Sequence, residues 1–334
     1  MERILVTGGL GFIGSNFILH LLASEPELEI ANLDKMTYAG NPMNLARITG
    51  DPRYTFVRGD VTDEGLVAGL LGANAFDGIV HLAAESFVDR SIESAAPFVH
   101  SNVAGTQVLL DAALKYGVPR FVYVSTDEVY GSLGKLGTFT EQSPIEPNNP
   151  YSATKAAAGM LCRAYHRTHG LPVTITRCSN NYGARQFPEK LIPLMIKKAL
   201  SDERLPIYGD GLHVRDWLYV EDHCRALHTV LTRGEPGEVY NIGGGTEMPN
   251  LDLVKLLLRR LDKPESLIEF VADRPGHDRR YAIDSSKIKR ELGWEAKTSF
   301  EEGLERTIAW YLDNPGWLEA IANGTYQDMP DNEG

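Results

Sequence analysis

The chain has 334 residues, of which 43% are apolar, and its 33 basic and 45 acidic residues give a formal net charge of −12. This length allows one large core or two packed domains. The acidic balance disfavours nonspecific binding to nucleic acid or anionic lipid, so an anionic substrate would need a local basic pocket.

The first half of the chain alternates short apolar runs with segments of helical periodicity. Strands are predicted at residues 3–7, 29–33, 55–58, 78–82, 120–125 and 173–177. Helices are predicted at residues 15–23, 103–115 and 152–169. Nearly continuous runs of Ile, Val and Leu are typical of strands buried on both faces. Repeated strand–helix units therefore predict an α/β fold with a doubly wound parallel sheet in residues 1–180.

The pattern changes after about residue 180, where proline and glycine become frequent and the strands shorten. Strands are predicted at residues 217–220, 239–242, 268–270 and 281–283, and helices at residues 251–260 and 300–314. We expect a smaller mixed α/β substrate domain over residues 181–320, with some later segments returning to the first domain. The polar residues 321–334 are predicted to form a flexible tail.

Cysteine usage and apolar run lengths predict where the protein resides. Cys162, Cys178 and Cys224 are far apart and form no paired motif, so neither disulfides nor a metal site are expected. Unpaired cysteines suit a reducing compartment. No apolar stretch is long enough to span a membrane, and the run after Arg3 is too short for a signal peptide. We therefore expect a cytoplasmic protein.

A glycine motif follows the first predicted strand and opens a helix. Gly8, Gly11 and Gly14 are spaced three apart, which permits a tight turn and close approach of backbone N–H groups to a pyrophosphate. Asp34 ends the second strand 20 residues after Gly14, the spacing expected of a carboxylate that binds a ribose 2′-OH. These features predict a Rossmann-type domain that binds NAD rather than NADP.

Two residues near Asp34 leave details of this site open. Lys35 follows directly, and its positive charge weakens the argument against a 2′-phosphate slightly. Asp60 ends the third strand, where its carboxylate could hold the adenine amino group. Capping of the next helix is an equally good explanation of Asp60 from chemistry alone.

Tyr151 and Lys155 are four residues apart and follow Pro150, which suits a helix start, so both side chains are expected on one face. A free tyrosine has a pKa near ~10. An ammonium group within about 4–6 Å favours the phenolate. The pair could take a proton from a hydroxyl while hydride leaves the same carbon. Such a pair also occurs by chance in helices without a role.

Thr126, Asp127 and Glu128 follow the predicted strand at residues 120–125. This places a hydroxyl and two adjacent acids at the carboxyl end of a parallel strand, where α/β sites lie. Two carboxyl groups in different environments can divide into an acid and a base. For either acid separately, a helix cap or a solvated side chain remains an alternative.

These motifs resemble the extended short-chain dehydrogenase/reductases and, within them, the dTDP-glucose 4,6-dehydratase family. The resemblance extends to about Trp317, and the adjacent Asp127 and Glu128 are its discriminating element, since related epimerases usually carry small or hydroxyl residues there. The other matching segments are residues 7–15, 34–41, 82–86, 89–91, 151–155, 180–183, 188–193, 208–211, 214–217 and 274–278.

The resemblance implies that retained NAD and a dTDP-glucose substrate meet at one site. Tyr151, aided by Lys155 and Thr126, would take the sugar 4-OH proton. Glu128 would remove the C5 hydrogen, and Asp127 would protonate the departing 6-OH. The residues implied to contact NAD are Gly8, Gly11, Phe12, Ile13, Gly14, Asp34, Lys35, Thr37, Asp60, Val61, Leu82, Ala83, Ala84, Ser101, Tyr151, Lys155 and Asn181.

The resemblance also implies a nucleotide-binding set. Lys190, Arg215 and Arg274 would neutralise the diphosphate, with bidentate geometry available to the arginines. Without the resemblance each would be an ordinary surface cation. The residues implied to contact substrate are Ser86, Thr126, Asn180, Lys190, Leu191, Pro206, Tyr208, Arg215, Asn250, Arg274 and His277.

Three positions depart from the family pattern. Phe87 stands where the family usually has His, and Ala184 and Arg185 stand where Pro and often an aromatic are common. We expect Phe87 and Arg185 near the substrate, where they bear on which nucleotide is accepted. A UDP-glucose 4,6-dehydratase, a 4-epimerase and a catalytically silent NAD-binding scaffold are therefore kept as alternatives.

The family further suggests a homodimer joined through a four-helix bundle. The helices concerned lie near residues 99–115 and 152–169, and they carry small residues such as Ala156, Ala157 and Ala158. Packing against the sheet requires the same residues, so the sequence leaves both explanations open.

Overall fold

The computed structural model describes residues 1–327. In this part of the chain the strands are β1 (Arg3–Thr7), β2 (Glu29–Asp34), β3 (Tyr54–Arg58), β4 (Gly78–His81), β5 (Phe121–Thr126), β6 (Val173–Cys178), β7 (Asn180–Tyr182), β8 (Leu205–Tyr208), β9 (Val214–Tyr219), β10 (Val239–Ile242), β11 (Glu247–Pro249) and β12 (Ile268–Val271). The α-helices are α1 (Phe12–Ser24), α2 (Glu64–Ala73), α3 (Val88–Glu93), α4 (Ala96–Phe98), α5 (Gly105–Tyr116), α6 (Pro150–His169), α7 (Leu191–Leu200), α8 (Val220–Arg233), α9 (Asn250–Arg260), α10 (Ser286–Leu292), α11 (Phe300–Asp313) and α12 (Pro315–Asn323). A π-helical turn at Val99–Ala104 leads into α5. Among these helices, none has the length and apolar character needed to cross a bilayer.

Seven strands form one parallel sheet in the order β10-β6-β5-β4-β1-β2-β3. The strand order reverses between β1 and β4, so the carboxyl ends of these strands flank a crevice. All six strands predicted in the first half are present within one residue of their predicted bounds. The predicted α/β doubly wound parallel sheet is therefore confirmed.

Helices cover both faces of this sheet with apolar side chains. On one face Phe17 of α1 and Leu227 of α8 are fully buried against β1 and β5. On the other face Leu109 of α5 and Cys162 of α6 are fully buried. Each such aliphatic or aromatic side chain contributes about 1.5–3 kcal/mol through burial. This two-sided burial explains why the strands are almost continuously apolar in sequence.

Smaller sheets follow the large one along the chain. Strand β9 pairs with β7 in parallel and with β11 in antiparallel orientation, and β8 pairs with β12 in parallel. A third apolar cluster, which includes Ile196, Leu257 and Leu304, packs helices α7, α9 and α11 together. The indole Nε1 of Trp317 donates to Asn44 Oδ1 at 2.9 Å, which ties α12 to the first half of the chain.

Two sequence predictions need correction. Residues 281–283 do not form a strand: Ile283 makes an isolated bridge to Phe139, and the bridge to Val214 is made by Arg280. The apolar run there reflects the burial of its side chains. Residues 321–327 were expected within a flexible tail, but the buried Tyr326 donates its hydroxyl to Tyr38 O at 2.6 Å. The aromatic ring supplies the apolar contact that the surrounding polar residues lack. Residues 328–334 lie outside the described part of the chain.

Candidate active site

A cleft of about 300 Å³ runs along the carboxyl ends of β1 to β6. The side chains that line it come from the turns after these strands and from the first turns of α1 and α6. All seventeen residues implied for the cofactor line this cleft, together with Thr126, Asp127 and Glu128. The structure therefore brings the predicted cofactor and catalytic residues into one continuous space.

The turn after β1 requires glycine because its backbone packs closely against other backbone. Gly8 has φ +73°, and a Cβ atom there would lie 2.6 Å from the backbone nitrogen of Ala83. A Cβ on Gly14 would lie 2.2 Å from the carbonyl oxygen of Gly8. Helix α1 starts without a side-chain cap and without an acid in its first turn. Its N-terminal N–H groups can therefore receive an anionic group.

Asp34 is fixed at the end of β2 by backbone donors. Its two carboxylate oxygens accept from Leu10 N at 2.9 Å and Met36 N at 2.8 Å. Burial raises the pKa of Asp34, while these two hydrogen bonds oppose the increase. The carboxylate is thus held rigidly at the cleft wall, where it can accept from a ribose hydroxyl.

Lys35 and Asp60 form an ion pair across the same wall, with 2.6 Å between Lys35 Nζ and Asp60 Oδ2. Burial raises the pKa of Asp60, but the hydrogen bonds from Lys35 and Thr62 outweigh it and lower the pKa overall. The cap of α2 is Asp63, whose carboxylate accepts from Leu66 N at 2.9 Å. The capping explanation for Asp60 is therefore wrong, and Lys35 is already neutralised by a carboxylate.

The two adjacent acids after β5 occupy different environments. Asp127 is 1% exposed, and its Oδ2 finds no hydrogen-bond partner within residues 1–327. Burial, followed by the nearby Glu128 and Asp216, holds the pKa of Asp127 well above its usual range, despite the opposing Arg215. The raised pKa favours the protonated form of Asp127, which is the form that can donate a proton.

Glu128 is only half-buried, and its carboxylate Oε2 lies 3.3 Å from the hydroxyl of Ser152. Its backbone N–H donates to Thr126 Oγ1 at 3.2 Å, which holds the turn after β5. The two acids therefore share one peptide bond but not one environment, which is the condition for dividing the tasks of acid and base.

Tyr151 and Lys155 lie in the first turns of α6, whose cap Asn149 accepts from Ser152 N at 2.9 Å. The Lys155 ammonium donates to Val124 O at 2.6 Å, and burial lowers the pKa of Lys155 to about 8. Burial, followed by the carboxylate of Glu128, holds the pKa of Tyr151 well above its ordinary value. In the protein alone, burial and the nearby acids thus outweigh the effect of Lys155, and phenolate formation with NAD bound stays a prediction.

Part of the implied nucleotide set lies in the cleft and part beyond it. Ser86, Asn180 and Lys190 line the cleft, and the Lys190 ammonium donates to Ser86 O at 2.7 Å. Burial lowers the pKa of Lys190, Arg274 lowers it further, and nearby carboxylates, first Glu189, oppose the decrease.

Arg215 extends this positive group. It is buried, its guanidinium donates to Asp278 O at 3.0 Å, and burial lowers its pKa with a further contribution from Arg274. Glu128 opposes the decrease in the pKa of Arg215. Lys190, Arg215 and Arg274 therefore form one cationic group beside Asp127 and Glu128, with the charge that an anionic ligand would require.

His277 and Tyr208 lie further along this group, with ring centroids 6.1 Å apart. The His277 ring stacks on His213 at 3.6 Å, and its Nδ1 lies 2.7 Å from Asp273 Oδ1. The ligand atoms of His213, Asp273 and His277 lie within 4.8 Å of one another. Burial, then the cation of Arg274, lowers the pKa of His277 to about 3. The positive charge near His277 disfavours binding of a metal ion by these three side chains.

The remaining implied substrate residues are placed less directly. The backbone N–H of Asn250 donates to His213 O at 2.9 Å, and its buried Oδ1 has no partner within the described chain. Leu191 begins α7 directly after Lys190, and Pro206 lies in β8. Neither Leu191 nor Pro206 is among the described residues that line the cleft.

The cleft also has walls that sequence reasoning missed. Glu189 accepts from the hydroxyl of Tyr38 at 3.0 Å and directly precedes Lys190 in a recognised motif, so the sequence did carry a signal for it. Most of the others contribute backbone or small side chains, which leave no distinctive pattern. The additional lining residues are Leu33, Ala39, Gly40, Gly59, Glu85, Val124, Ser125, Cys178, Ser179, Gln186, Phe187 and Glu189.

The residues that depart from the family pattern lie in different parts of the structure. The ring centroid of Phe87 lies 5.3 Å from Lys190 Nζ, so Phe87 is beside the cationic group. Arg185 is not among the residues lining the cleft, and its guanidinium donates to Asn16 Oδ1 at 3.1 Å. The expectation that Arg185 lies near the substrate is therefore wrong, because Asn181 and Gln186 face the cleft while Arg185 faces helix α1.

The strand order, the glycine turn and the Tyr151–Lys155 pair define an extended short-chain dehydrogenase/reductase. The family model described as GDP-mannose 4,6 dehydratase matches residues 5–307, and the chain belongs to this family. A dTDP-glucose 4,6-dehydratase of Actinoplanes sp. is 52% identical over 320 residues, covering 94% of this chain and 99% of the relative. The Escherichia coli dTDP-glucose 4,6-dehydratase is 48% identical over 353 residues, covering 97% of each chain.

Solved structures agree with this assignment. DesIV, a dTDP-glucose 4,6-dehydratase from Streptomyces venezuelae with NAD and TYD bound, matches with a TM-score of 0.93 and 53% identity, covering 96% of this chain and 99% of its own. UDP-glucose 4-epimerase from Thermotoga maritima, with UDP-glucose, matches with a TM-score of 0.87 and 32% identity, covering 94% and 99%. The fold is therefore shared with epimerases, and the reaction must be argued from the site.

We expect the substitution Gly14→Ala to abolish dinucleotide binding, because its Cβ would lie 2.2 Å from Gly8 O. Gly69→Ala is the matched control, since a Cβ there meets nothing within 4 Å. The measurement is the amount of dinucleotide released from each purified protein on denaturation. Equal amounts from Gly14→Ala and the parent protein would contradict the placement of the cofactor on this turn.

Proposed function

We propose that this chain uses retained NAD to dehydrate dTDP-glucose to its 4-keto-6-deoxy product. The observation that carries the proposal is the pair of adjacent acids after β5. Asp127 is buried and its pKa is raised by that burial, while Glu128 is half-buried beside Ser152. Both acids line the same cleft as Tyr151. The curated relatives named dTDP-glucose 4,6-dehydratase, at 48% and 52% identity, support this substrate.

The residues present fit NAD. Gly8 and Gly14 line the cleft, and α1 offers uncapped N–H groups to a pyrophosphate there. Asp34 suits a free ribose 2′-OH and repels a 2′-phosphate, while Lys35 is already paired with Asp60. When bound, NAD would accept a hydride from C4 and return it to C6, and its oxidised ring would add a positive charge to the site.

The chain's own side chains would move the protons. Tyr151 takes the proton of the sugar 4-OH as C4 is oxidised, and the resulting ketone acidifies the hydrogen on C5. Glu128 then removes that C5 proton, and the electron pair forms the C5–C6 double bond. The C6–O bond breaks as Asp127 donates its proton, so one water leaves. Glu128 returns a proton to C5 as C6 is reduced.

The cationic group would hold the diphosphate of the substrate. Lys190, Arg215 and Arg274 all come from the second half of the chain, which supports residues 181–320 as the substrate domain and residues 1–180 as the NAD-binding domain. Their charges lie beside Glu128, so the bound diphosphate would place the sugar against the acids. Arginine forks match phosphate oxygens in a bidentate manner, which would fix the orientation of the substrate.

Two alternatives use the same fold. A 4-epimerase gives no task to Asp127 and Glu128, so the buried Asp127 would be retained at a cost without benefit. A silent scaffold would not need Tyr151, Lys155 and both acids in one cleft. A dehydratase specific for UDP-glucose uses the same acids and differs only in the nucleotide that it accepts. Turnover of the two sugar nucleotides distinguishes it from the proposed function.

We expect Glu128→Gln and Asp127→Asn to fail at different steps when incubated with dTDP-glucose in heavy water. Without its base, Glu128→Gln gives neither water loss nor deuterium at C5. Asp127→Asn still exchanges the hydrogen on C5 for deuterium, but water loss slows by about 10²–10⁴-fold because the acid is missing. Asp210→Asn, a change in an exposed acid paired with Arg279, is the control and reacts as the parent. Mass spectrometry of product and recovered substrate measures both events.

Several outcomes would overturn the assignment. Deuterium at C5 with Glu128→Gln would remove Glu128 as the base, and unchanged water loss with Asp127→Asn would remove Asp127 as the acid. Incubation of the parent protein with UDP-glucose tests which nucleotide the protein accepts. Water loss from UDP-glucose but not from dTDP-glucose would keep the mechanism and replace the substrate.

We also propose a homodimer through the helices at residues 99–116 and 150–169. Val99 and Met160 on these helices are 50% and 48% exposed in the single chain, which favours an apolar contact. The three free, buried cysteines support a cytoplasmic location.

Light scattering should therefore give a mass of twice 36.9 kDa for the parent protein. Met160→Asp should shift this mass to that of a monomer, because a charge would be placed in the apolar contact. Leu212→Asp, at a leucine that is 46% exposed in the second half of the chain, should leave the mass unchanged. A monomeric parent protein would contradict the dimer.

A further inference from the structure

A second pocket, of about 270 Å³, lies between helices α1 and α8 and is separate from the catalytic cleft. The guanidinium groups of Arg47, Arg185 and Arg225 line it, together with the single carboxylate of Glu221. His20 also lines it, and burial, followed by the neighbouring His228, lowers the pKa of His20 to about 4, so this ring is neutral. Three cations and one anion line this pocket, in a chain whose net charge is −12. Arg225 is also paired with the buried Asp222, so the positive charge of the lining comes mainly from Arg47 and Arg185.

The positive charge of this pocket is not cancelled from within. Across residues 1–327, Arg47 and Arg185 form no ion pair with a carboxylate within 4.0 Å. Glu221 is instead 3.5 Å from Arg306, which lies outside the pocket lining. Burial lowers the pKa of Arg185, and the nearby Arg47 lowers it further. Facing like charges in a partly buried space are costly unless an anion joins them.

Arg185 is also held in an unusual backbone conformation. Its φ of +69° lies in the left-handed region, which costs free energy for a residue other than glycine. The hydrogen bond from its guanidinium to Asn16 Oδ1, at 3.1 Å, holds the side chain at the pocket. A strained residue whose long cationic side chain is turned into a positive pocket is consistent with a functional role.

We propose that this pocket binds a multiply charged phosphate or pyrophosphate anion. Guanidinium forks match phosphate oxygens, and three of them surround one space. Within the described residues its lining contains no Phe, Tyr or Trp, so recognition depends on charge rather than on stacking of a base. The volume accommodates a pyrophosphate group. The proposal does not depend on the identity of the substrate in the catalytic cleft.

The test is a calorimetric titration of pyrophosphate into the NAD-loaded protein, with dTDP at saturating concentration to occupy the nucleotide part of the cleft. We expect one pyrophosphate per chain, with an affinity that falls as the salt concentration rises. Arg185→Gly removes the cation and suits the left-handed backbone, so the fold is retained and the dissociation constant rises at least tenfold. Arg47→Ala, at an exposed side chain, gives a second loss of the same kind.

Arg279→Ala is the matched control, because Arg279 is an exposed arginine paired with Asp210 and does not line the pocket. Its dissociation constant should equal that of the parent. The proposal is overturned if the parent binds no pyrophosphate, or if Arg185→Gly and Arg47→Ala bind it as tightly as the parent does. A loss seen with Arg274→Ala alone would also overturn it, since that would place the anion in the catalytic cleft.

Discussion

The burial of Asp127 next to Glu128 is the constraint around which the site is organised. An isolated buried carboxylate costs several kcal/mol, so the group takes up a proton instead. Asp127 has an unpartnered oxygen and a raised pKa for this reason. The parallel sheet makes the burial possible, because β5 lies between β4 and β6 and delivers the acids to the middle of the sheet edge. A carboxyl group whose pKa is raised is suited to donate the proton with which a hydroxide departs as water.

The same burial affects the tyrosine. Burial and the nearby acids raise the pKa of Tyr151, and the Lys155 ammonium is occupied by the carbonyl of Val124. The protein alone therefore keeps the phenol protonated. On the proposed function, the positive charge of the oxidised cofactor is needed before Tyr151 can accept a proton. This order would prevent the base from acting in protein that lacks its cofactor.

Much of the cofactor site could be predicted from the sequence, because steric rules restrict the choice of residue there. The turn requires glycine at Gly8 and Gly14, and Asp34 must end a strand to reach the cleft. The role of Asp60 could not be predicted, because a helix cap and a ligand contact have the same sequence pattern. The structure shows that Asp63 caps α2. The pKa of Tyr151 could not be predicted either, because it depends on distances between segments far apart in the chain.

Other errors have equally physical causes. The apolar run at residues 281–283 has the composition of a strand, but β11 already pairs with β9, and only Ile283 of the run makes a bridge. Arg185 lies within a motif that borders the cleft, yet the backbone turns between Asn181 and Gln186 and aims its side chain at α1. Tyr326 packs although its neighbours are polar. The direction in which a side chain points, and the packing of a single aromatic ring, cannot be predicted from the local sequence pattern.

On the proposed function, one site oxidises, dehydrates and reduces the same sugar without exchanging its cofactor. The most direct measurement supplies dTDP-glucose carrying deuterium at C4 to the purified protein, with no NAD added, and locates the label in the product by NMR. The account predicts a product lighter by one water, with the deuterium at C6 of the same molecule. Deuterium retained at C4, or lost to solvent from a product that has shed water, would contradict it.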